Sequence, residues 1–240
     1  MREAKLMSEI GAGVAALLLV AAWGCTQPSW EEAMAAGQQA YEQGRYGDAE
    51  RLFSAAVGKA EQFGREDRRV AQALSGLAQT YAVQNKHAEA EPAYLRALQI
   101  YQAVHGEHHA DVAATLNNLG VLYRRHGQYT DAEPLLVRAV AIKEKVFGPE
   151  HLELVLTLKN LAQLYASQGQ FAKAEPLFRR IVAIREKAQG PAHPDLAKSL
   201  DEQAMLLRQM GREKEAEPLE LRSQSILTKA PSPSKKPQTR

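Results

Sequence analysis

One cysteine, Cys25, stands in 240 residues. No internal disulfide can form and no thiolate cage for zinc can be assembled, so cysteine usage says nothing about redox compartment. Aromatic residues are scarce, at 6%, and an excess of one charge is missing too, since 30 Lys and Arg face 28 Asp and Glu for a net +2. A chain built to grip nucleic acid carries more positive charge, clustered on one face, so nucleic acid is not expected as a partner. No glycine-rich phosphate loop is present: Gly11-Ala12-Gly13 lies in an apolar N-terminal run without a strand pattern before it. Nor does a Gly-x-Ser-x-Gly elbow occur. No cofactor, no catalytic residue and no metal site is assigned on this reading, and the protein is not expected to be an enzyme.

The apolar run of residues 10–22 (IGAGVAALLLVAA) is also short, 13 residues where roughly 20 are needed to span a bilayer as a helix. It fits the core of a signal peptide, preceded by Arg2 and Lys5 offset by Glu3 and Glu9. Ala22 and Gly24 sit three and one before Cys25, as a cleavage site requires. Ala22-Trp23-Gly24-Cys25 resembles the lipobox of bacterial lipoproteins, with Ala22 where leucine is usual and Trp23 where a small residue is usual. That resemblance implies that residues 1–24 are removed and that Cys25 carries lipid; an ordinary signal peptidase would accept the same small residues and release a soluble secreted or periplasmic protein. Each lipid CH₂ buried contributes about 0.8 kcal/mol, and two or more chains anchor a protein stably. The expected location is the cell envelope, periplasm-facing or on the outer surface, with contact to the membrane through the N-terminal lipid.

What the chain has in abundance is self-similarity. Ala-Glu-Pro occurs at 90–92, 132–134, 174–176 and 216–218, a period of 42 residues, and Ala49-Glu50-Arg51 occupies a similar setting earlier. A fixed period of this size indicates a solenoid of helix pairs, each burying its apolar face on the next. Within the third unit, Leu116, Leu119, Gly120 and Tyr123 form one helical stripe, and Ala132, Leu135, Leu136, Ala139, Val140 and Val146 form a second after Gly127. Pro134 is expected near the first turn of that second helix, where its missing N–H would have had no intrahelical partner. Ser29-Trp30-Glu31-Glu32 reads as a capping box that opens the first helix. Small residues recur at two positions, Ala49, Ala90, Ala132, Ala174 and Ala216 at one and Gly37, Ala78, Gly120, Ala162 and Ala204 at the other, where paired helices approach closely. The expected organisation is a short linker at 25–28 and a solenoid at 29–228, in units of about 29–64, 70–106, 112–148, 154–190 and 196–228. A basic, proline-rich tail at 229–240 lacks the apolar residues to fold.

The stretch LNNLGVLYRRHGQYTDAEPLLVRAVAIKEKVFGPEH is similar to tetratricopeptide repeats, specifically those of kinesin-light-chain type, and the resemblance runs over roughly residues 33 to 227. It implies an all-α fold, a right-handed superhelix of about five helix-turn-helix units. The fifth unit puts Gln203, Glu213 and Glu220 at positions apolar elsewhere, which suits a solvent-facing cap. Members of the family bind proteins or peptides, laying an extended segment along the concave groove made by the first helix of each pair. Asn118 and Asn160 match the asparagines that hold a ligand backbone, whereas Gly76 and Glu202 occupy that position in other units. The same inner face is expected to include Gln79, Asn117, Arg124, Arg125, Lys159, Gln163 and Arg208. Amides both donate and accept, so they read a backbone without side-chain specificity; the basic residues favour an acidic segment or a free carboxylate. Replacing Asn118 and Asn160 with Ala is expected to weaken capture and leave stability nearly unchanged.

His109, His151 and His193 recur at the same period, with His108 beside the first. Zinc ligands lie about 2 Å from the ion, whereas packed helices are separated by roughly 8 to 10 Å, so no two of these three are expected to share one. The function expected is a non-catalytic scaffold in an envelope assembly. The competing readings are a metal-binding enzyme subunit that uses the loop histidines and a cytoplasmic interaction module with an uncleaved leader.

Overall fold

The computed structural model describes residues 29–229, which form ten α-helices. They are α1 (Trp30–Glu42), α2 (Tyr46–Ala60), α3 (Arg68–Val83), α4 (His87–His105), α5 (Ala110–Arg125), α6 (Tyr129–Phe147), α7 (Val155–Ser167), α8 (Phe171–Gln189), α9 (Pro194–Gln209) and α10 (Glu213–Lys229). Single 3₁₀ turns at Glu61–Phe63 and Leu152–Leu154 join units. Each helix packs against the next in the chain, and the first helices of successive pairs also touch, α1 with α3, α3 with α5 and α5 with α7. The odd-numbered helices therefore line one side of the stack.

The first helix opens on the capping box expected of it: Glu32 N–H donates to Ser29 Oγ at 3.1 Å, and Ser29 N–H donates to Glu32 Oε2 at 2.7 Å. Later first helices open on a cap that recurs every 42 residues, which before α7 sits on the 3₁₀ turn leading into the helix. Asp67 accepts from Arg69 N–H at 2.9 Å, and the Nδ1 atoms of His109, His151 and His193 accept from Asp111, Glu153 and Asp195 N–H at 3.2, 3.2 and 3.1 Å. The periodic histidines thus terminate helices, each satisfying a backbone donor that would otherwise lack a partner. Within pairs, the tight turns use glycine at positive φ except in the second unit, where Asn85 adopts φ 59. Asn tolerates this left-handed conformation better than most side chains.

The repeated Ala-Glu-Pro can be explained residue by residue. Ala49, Ala90, Ala132, Ala174 and Ala216 are wholly buried where the two helices of a pair meet. The following glutamate reaches the next unit: Glu50 accepts from Lys86 Nζ at 2.7 Å, Glu91 from Tyr123 Oη at 2.7 Å, Glu133 from Tyr165 Oη at 2.9 Å and Glu175 from Arg212 at 2.7 Å. Burial, with the carboxylate beside it, pushes the phenols of Tyr123 and Tyr165 up to about 12. The proline corrects the sequence reading. α6 begins at Tyr129, so Pro134 is its sixth residue, past the first turn, and the Thr130 carbonyl loses its usual donor four residues on. Pro92, Pro134, Pro176 and Pro218 are all exposed, so water can take the donor's place.

A second set of periodic contacts runs along the even-numbered helices. Arg96 binds Glu61 at 2.7 Å, Arg138 binds Glu107, Arg180 binds Glu144 at 2.6 Å and Arg222 binds Glu186, each arginine 42 residues from the last. Lys143, only 8% exposed, donates to the Glu153 carbonyl at 2.7 Å, and Arg185 does the same to Asp195. At the C-terminal end the expected polar cap is only partly that. Glu213 is exposed and Glu220 half-buried, but Gln203 is buried because it takes the core position of Leu119 and Leu161 and α10 covers it.

Close approach is sharpest around Phe53, which is 1% exposed and lies between α1 and α3. A Cβ on Gly37 would stand 2.9 Å from its ring, and one on Gly76 2.7 Å. Gly58, in the same helix as Phe53, has nothing within 4 Å of such a Cβ. Gly76→Ala is therefore expected to destabilise the protein by about 1–3 kcal/mol through overpacking, and Gly58→Ala to stabilise it by about 0.5–1 kcal/mol through helix propensity. Urea unfolding followed by circular dichroism reads both; equal effects of one sign would contradict this packing.

Candidate peptide-binding groove

The side lined by first helices carries two recesses. One, of about 170 Å³, spans α1, α3 and α5 and is bounded by Tyr41, Gln79, Tyr94, Asn118 and Arg125. The other, of about 480 Å³, spans α5, α7 and α9 and is bounded by Arg124, Gln163, Glu202, Met205 and Leu206, with Phe178 of α8 at its base. Both cross successive first helices, the path an extended segment would follow.

The nine residues expected on this face divide by what already holds them. Asn160 Nδ2 donates to Asn117 Oδ1 at 2.8 Å, and Asn117 Nδ2 donates to Asn118 Oδ1 at 3.3 Å. Asn117 is 5% exposed, so this amide chain joins α7 to α5 from inside the stack rather than standing open as a ladder. Lys159 is bound to Glu202 of α9. Arg208 clasps Glu220 of α10 with two hydrogen bonds of 2.6 and 2.7 Å, which faces it along its own pair. In contrast, Arg124 and Arg125 make no salt bridge among the described residues. The Nε of Arg124 is buried with no hydrogen-bond partner, and that burial, followed by the nearby charge of Arg125, holds its guanidinium below the usual arginine range. Gln163 and Gln79 complete the open set, one at each recess. Cys25 lies outside the described residues.

Four residues of these recesses were missed by sequence reasoning. Glu202 was noted only as a break in the ladder, yet it neutralises Lys159. Met205, 62% exposed, occupies the register position of Gln79 and Gln163 and gives the larger recess an apolar wall. Tyr41 supplies aromatic surface to the smaller one, and the ring of Tyr94, only 2% exposed, borders it from beneath. The 42-residue register was the signal that could have found Met205; the tyrosines carry no signal, because their exposure depends on how α1 and α4 turn toward the groove.

The tetratricopeptide repeat family model matches residues 31–103, 69–145, 111–187 and 153–229. The chain is a tetratricopeptide repeat protein. A solved structure of BtubC (BKLC) from P. vanneervenii superposes on this repeat protein with a TM-score of 0.74 at 22% identity, covering 88% of this chain and 85% of that one. Nearly identical TPR-like repeats assigned to a kinesin light chain of Podospora anserina give 0.73 at 24% identity, over 83% and 95%. The Rap conjugation regulator of plasmid pLS20, solved with the Phr* peptide, gives 0.64 at 15% identity, over 83% of this chain and 53% of that one. At such identities the likeness is one of fold. A search of curated proteins finds no match.

The amide chain changes what the asparagines can test. Asn160→Ala would leave the buried Asn117 Oδ1 without its 2.8 Å donor, and a stability loss of about 1–3 kcal/mol is expected; Asn118→Ala removes only the longer 3.3 Å contact from Asn117 Nδ2 and should cost less than about 1 kcal/mol. Chemical unfolding of the two single variants checks the order, which reverses if Asn160 faces solvent rather than α5. Replacing Asn118 and Asn160 together therefore does not separate binding from stability, contrary to the sequence-based expectation.

Proposed function

We propose that this tetratricopeptide repeat protein is a non-catalytic scaffold whose inner face holds an extended protein segment bearing acidic side chains. One observation carries the reading: most described cations are matched to a carboxylate of the chain itself, and of those that are not, Arg124 and Arg125 stand side by side at the two recesses, which Lys59, Arg65, Lys145 and Lys214 do not line. A guanidinium with a buried, unpartnered N–H gains more from a carboxylate than a fully hydrated one does, because part of its desolvation has already been incurred. Met205, Leu206 and Phe178 would take an apolar side chain a few residues along the same segment. The Rap regulator's Phr* peptide supports peptide recognition as something this architecture accommodates.

The scaffold is, on this reading, exported and tethered by lipid at Cys25, four residues before the capping box at Ser29. A tether that short keeps the groove beside the membrane and raises the effective concentration of partners held there. No helix among the described residues is long and apolar enough to cross a membrane.

Arg124→Ala/Arg125→Ala is expected to weaken capture of aspartate- and glutamate-bearing extended peptides at least about tenfold, with melting nearly unchanged and the wild-type affinity falling as salt rises. Fluorescence anisotropy against peptides of graded acidity measures it; equal affinity in the double variant sinks the groove assignment. For the tether, Cys25→Ser should move the protein from the membrane fraction to the soluble one with unchanged helicity. Intact mass of the native N-terminus provides the direct reading, and an unprocessed Met1 would contradict export.

A further inference from the structure

The turn between α4 and α5 departs from its counterparts. In the turn one unit later, Phe147 at the end of α6 stacks on the capping His151 with ring centroids 5.3 Å apart and 21° between planes. Here the corresponding ring is His105, stacked on the capping His109 at 4.1 Å and 18°. Asp111, in the first turn of α5, completes the group: its Oδ2 lies 3.6 Å from His105 Nε2 and 3.5 Å from His109 Nδ1. The donor atoms of all three residues fall within 4.8 Å of one another. His105 Nε2 and Asp111 Oδ2 are shielded from solvent and have no hydrogen-bond partner among the described residues, and the nearest arginine nitrogen, Arg68 Nε, is 3.9 Å from that oxygen. The corresponding residues of the later turns are Phe147, His151 and Glu153, then Gln189, His193 and Asp195, so neither repeats the set of two imidazoles and a carboxylate.

We propose that His105, His109 and Asp111 form a binding site for one divalent first-row transition-metal ion, with zinc the best match. Nitrogen and oxygen ligands sit about 2.0–2.2 Å from tetrahedral zinc, which spaces them roughly 3.4 Å apart; the two measured separations to Asp111 Oδ2 are 3.6 and 3.5 Å. Imidazole nitrogen beside a single carboxylate suits zinc, nickel or copper, whereas calcium and magnesium take oxygen ligands. Water fills the remaining position. Loading changes the turn in two ways that follow from geometry. An ion lies in the plane of each imidazole that binds it, so the stacked rings must part. His109 Nδ1 gives to the metal the lone pair that now accepts from Asp111 N–H, so the ion replaces the cap as the element that fixes the start of α5. The site sits at the opposite end of the sixteen-residue α5 from Arg124, about 20 Å away along the helix, and is independent of the groove.

The test titrates zinc chloride into the metal-free full chain by calorimetry, with cobalt(II) absorption as a probe of tetrahedral geometry, all on a Cys25→Ser background so that the thiol does not compete. One equivalent of zinc should bind and raise the melting temperature. His105→Phe installs the residue that the next turn uses and should fold; Asp111→Asn keeps the backbone donor. Both are expected to weaken zinc at least about tenfold and to abolish the thermal shift, whereas His108→Ala leaves them unchanged. The proposal is overturned if the parent binds no zinc. It is equally overturned if His108→Ala removes the binding that His105→Phe retains, because the ion then belongs to the exposed His108–His109 pair.

Discussion

A pair of helices this size cannot bury its apolar face alone, and everything else in the molecule answers that constraint. Burial between units supplies the energy. The glutamate of the repeated tripeptide marks the register, because its carboxylate meets a donor on the next unit, Lys86, Tyr123, Tyr165 or Arg212. Exposed ion pairs are individually weak, typically ~0–1 kcal/mol. Their regular spacing, on Arg96, Arg138, Arg180 and Arg222, repeats one contact along the stack more than it adds stability.

On the proposed function, the same constraint bears on where recognition would occur. Side chains that fasten one unit to the next are committed, Lys159 to Glu202 and Asn160 to Asn117, and Arg208 is held by Glu220 within its own pair. What the fastening leaves over is a short stretch at the end of α5, Arg124 with Arg125, between a recess walled by tyrosines and one walled by Met205 and Leu206. The asparagines that match the family's ladder, Asn118 and Asn160, contribute less to an open surface than their positions suggest, since in this chain both are partners of the buried Asn117.

The architecture was readable in the sequence because it rests on local rules that repeat. The fully buried alanines and the glycine beside Leu136 show up as small residues at a fixed interval, and the capping box at Ser29 is a four-residue pattern. The site was less readable for a physical reason. Asn160 meets Asn117 across 43 residues, and Lys159 meets Glu202 across the same distance, so their pairing depends on how far each unit rotates on the last. Periodicity fixes that rotation only on average. Pro134 was misplaced because helix α6 begins three residues before its first buried alanine, and helix starts without a side-chain cap leave no mark in the sequence. Gln203 shows the limit from the other side: a polar residue in the last unit is not exposed by being there, if a further helix covers it.

The end of α5, left open by the fastening of the units, is the proposed binding surface. Hydrogen–deuterium exchange of the full chain, with and without a saturating acidic extended peptide, tests it most directly. Added protection should concentrate in α5 and α7, strongest toward Arg125, with α6 and α8 unchanged. Protection confined to the even-numbered helices, along the Arg96–Arg138–Arg180 row, would place the partner on the opposite face and rule out the end of α5 as its site.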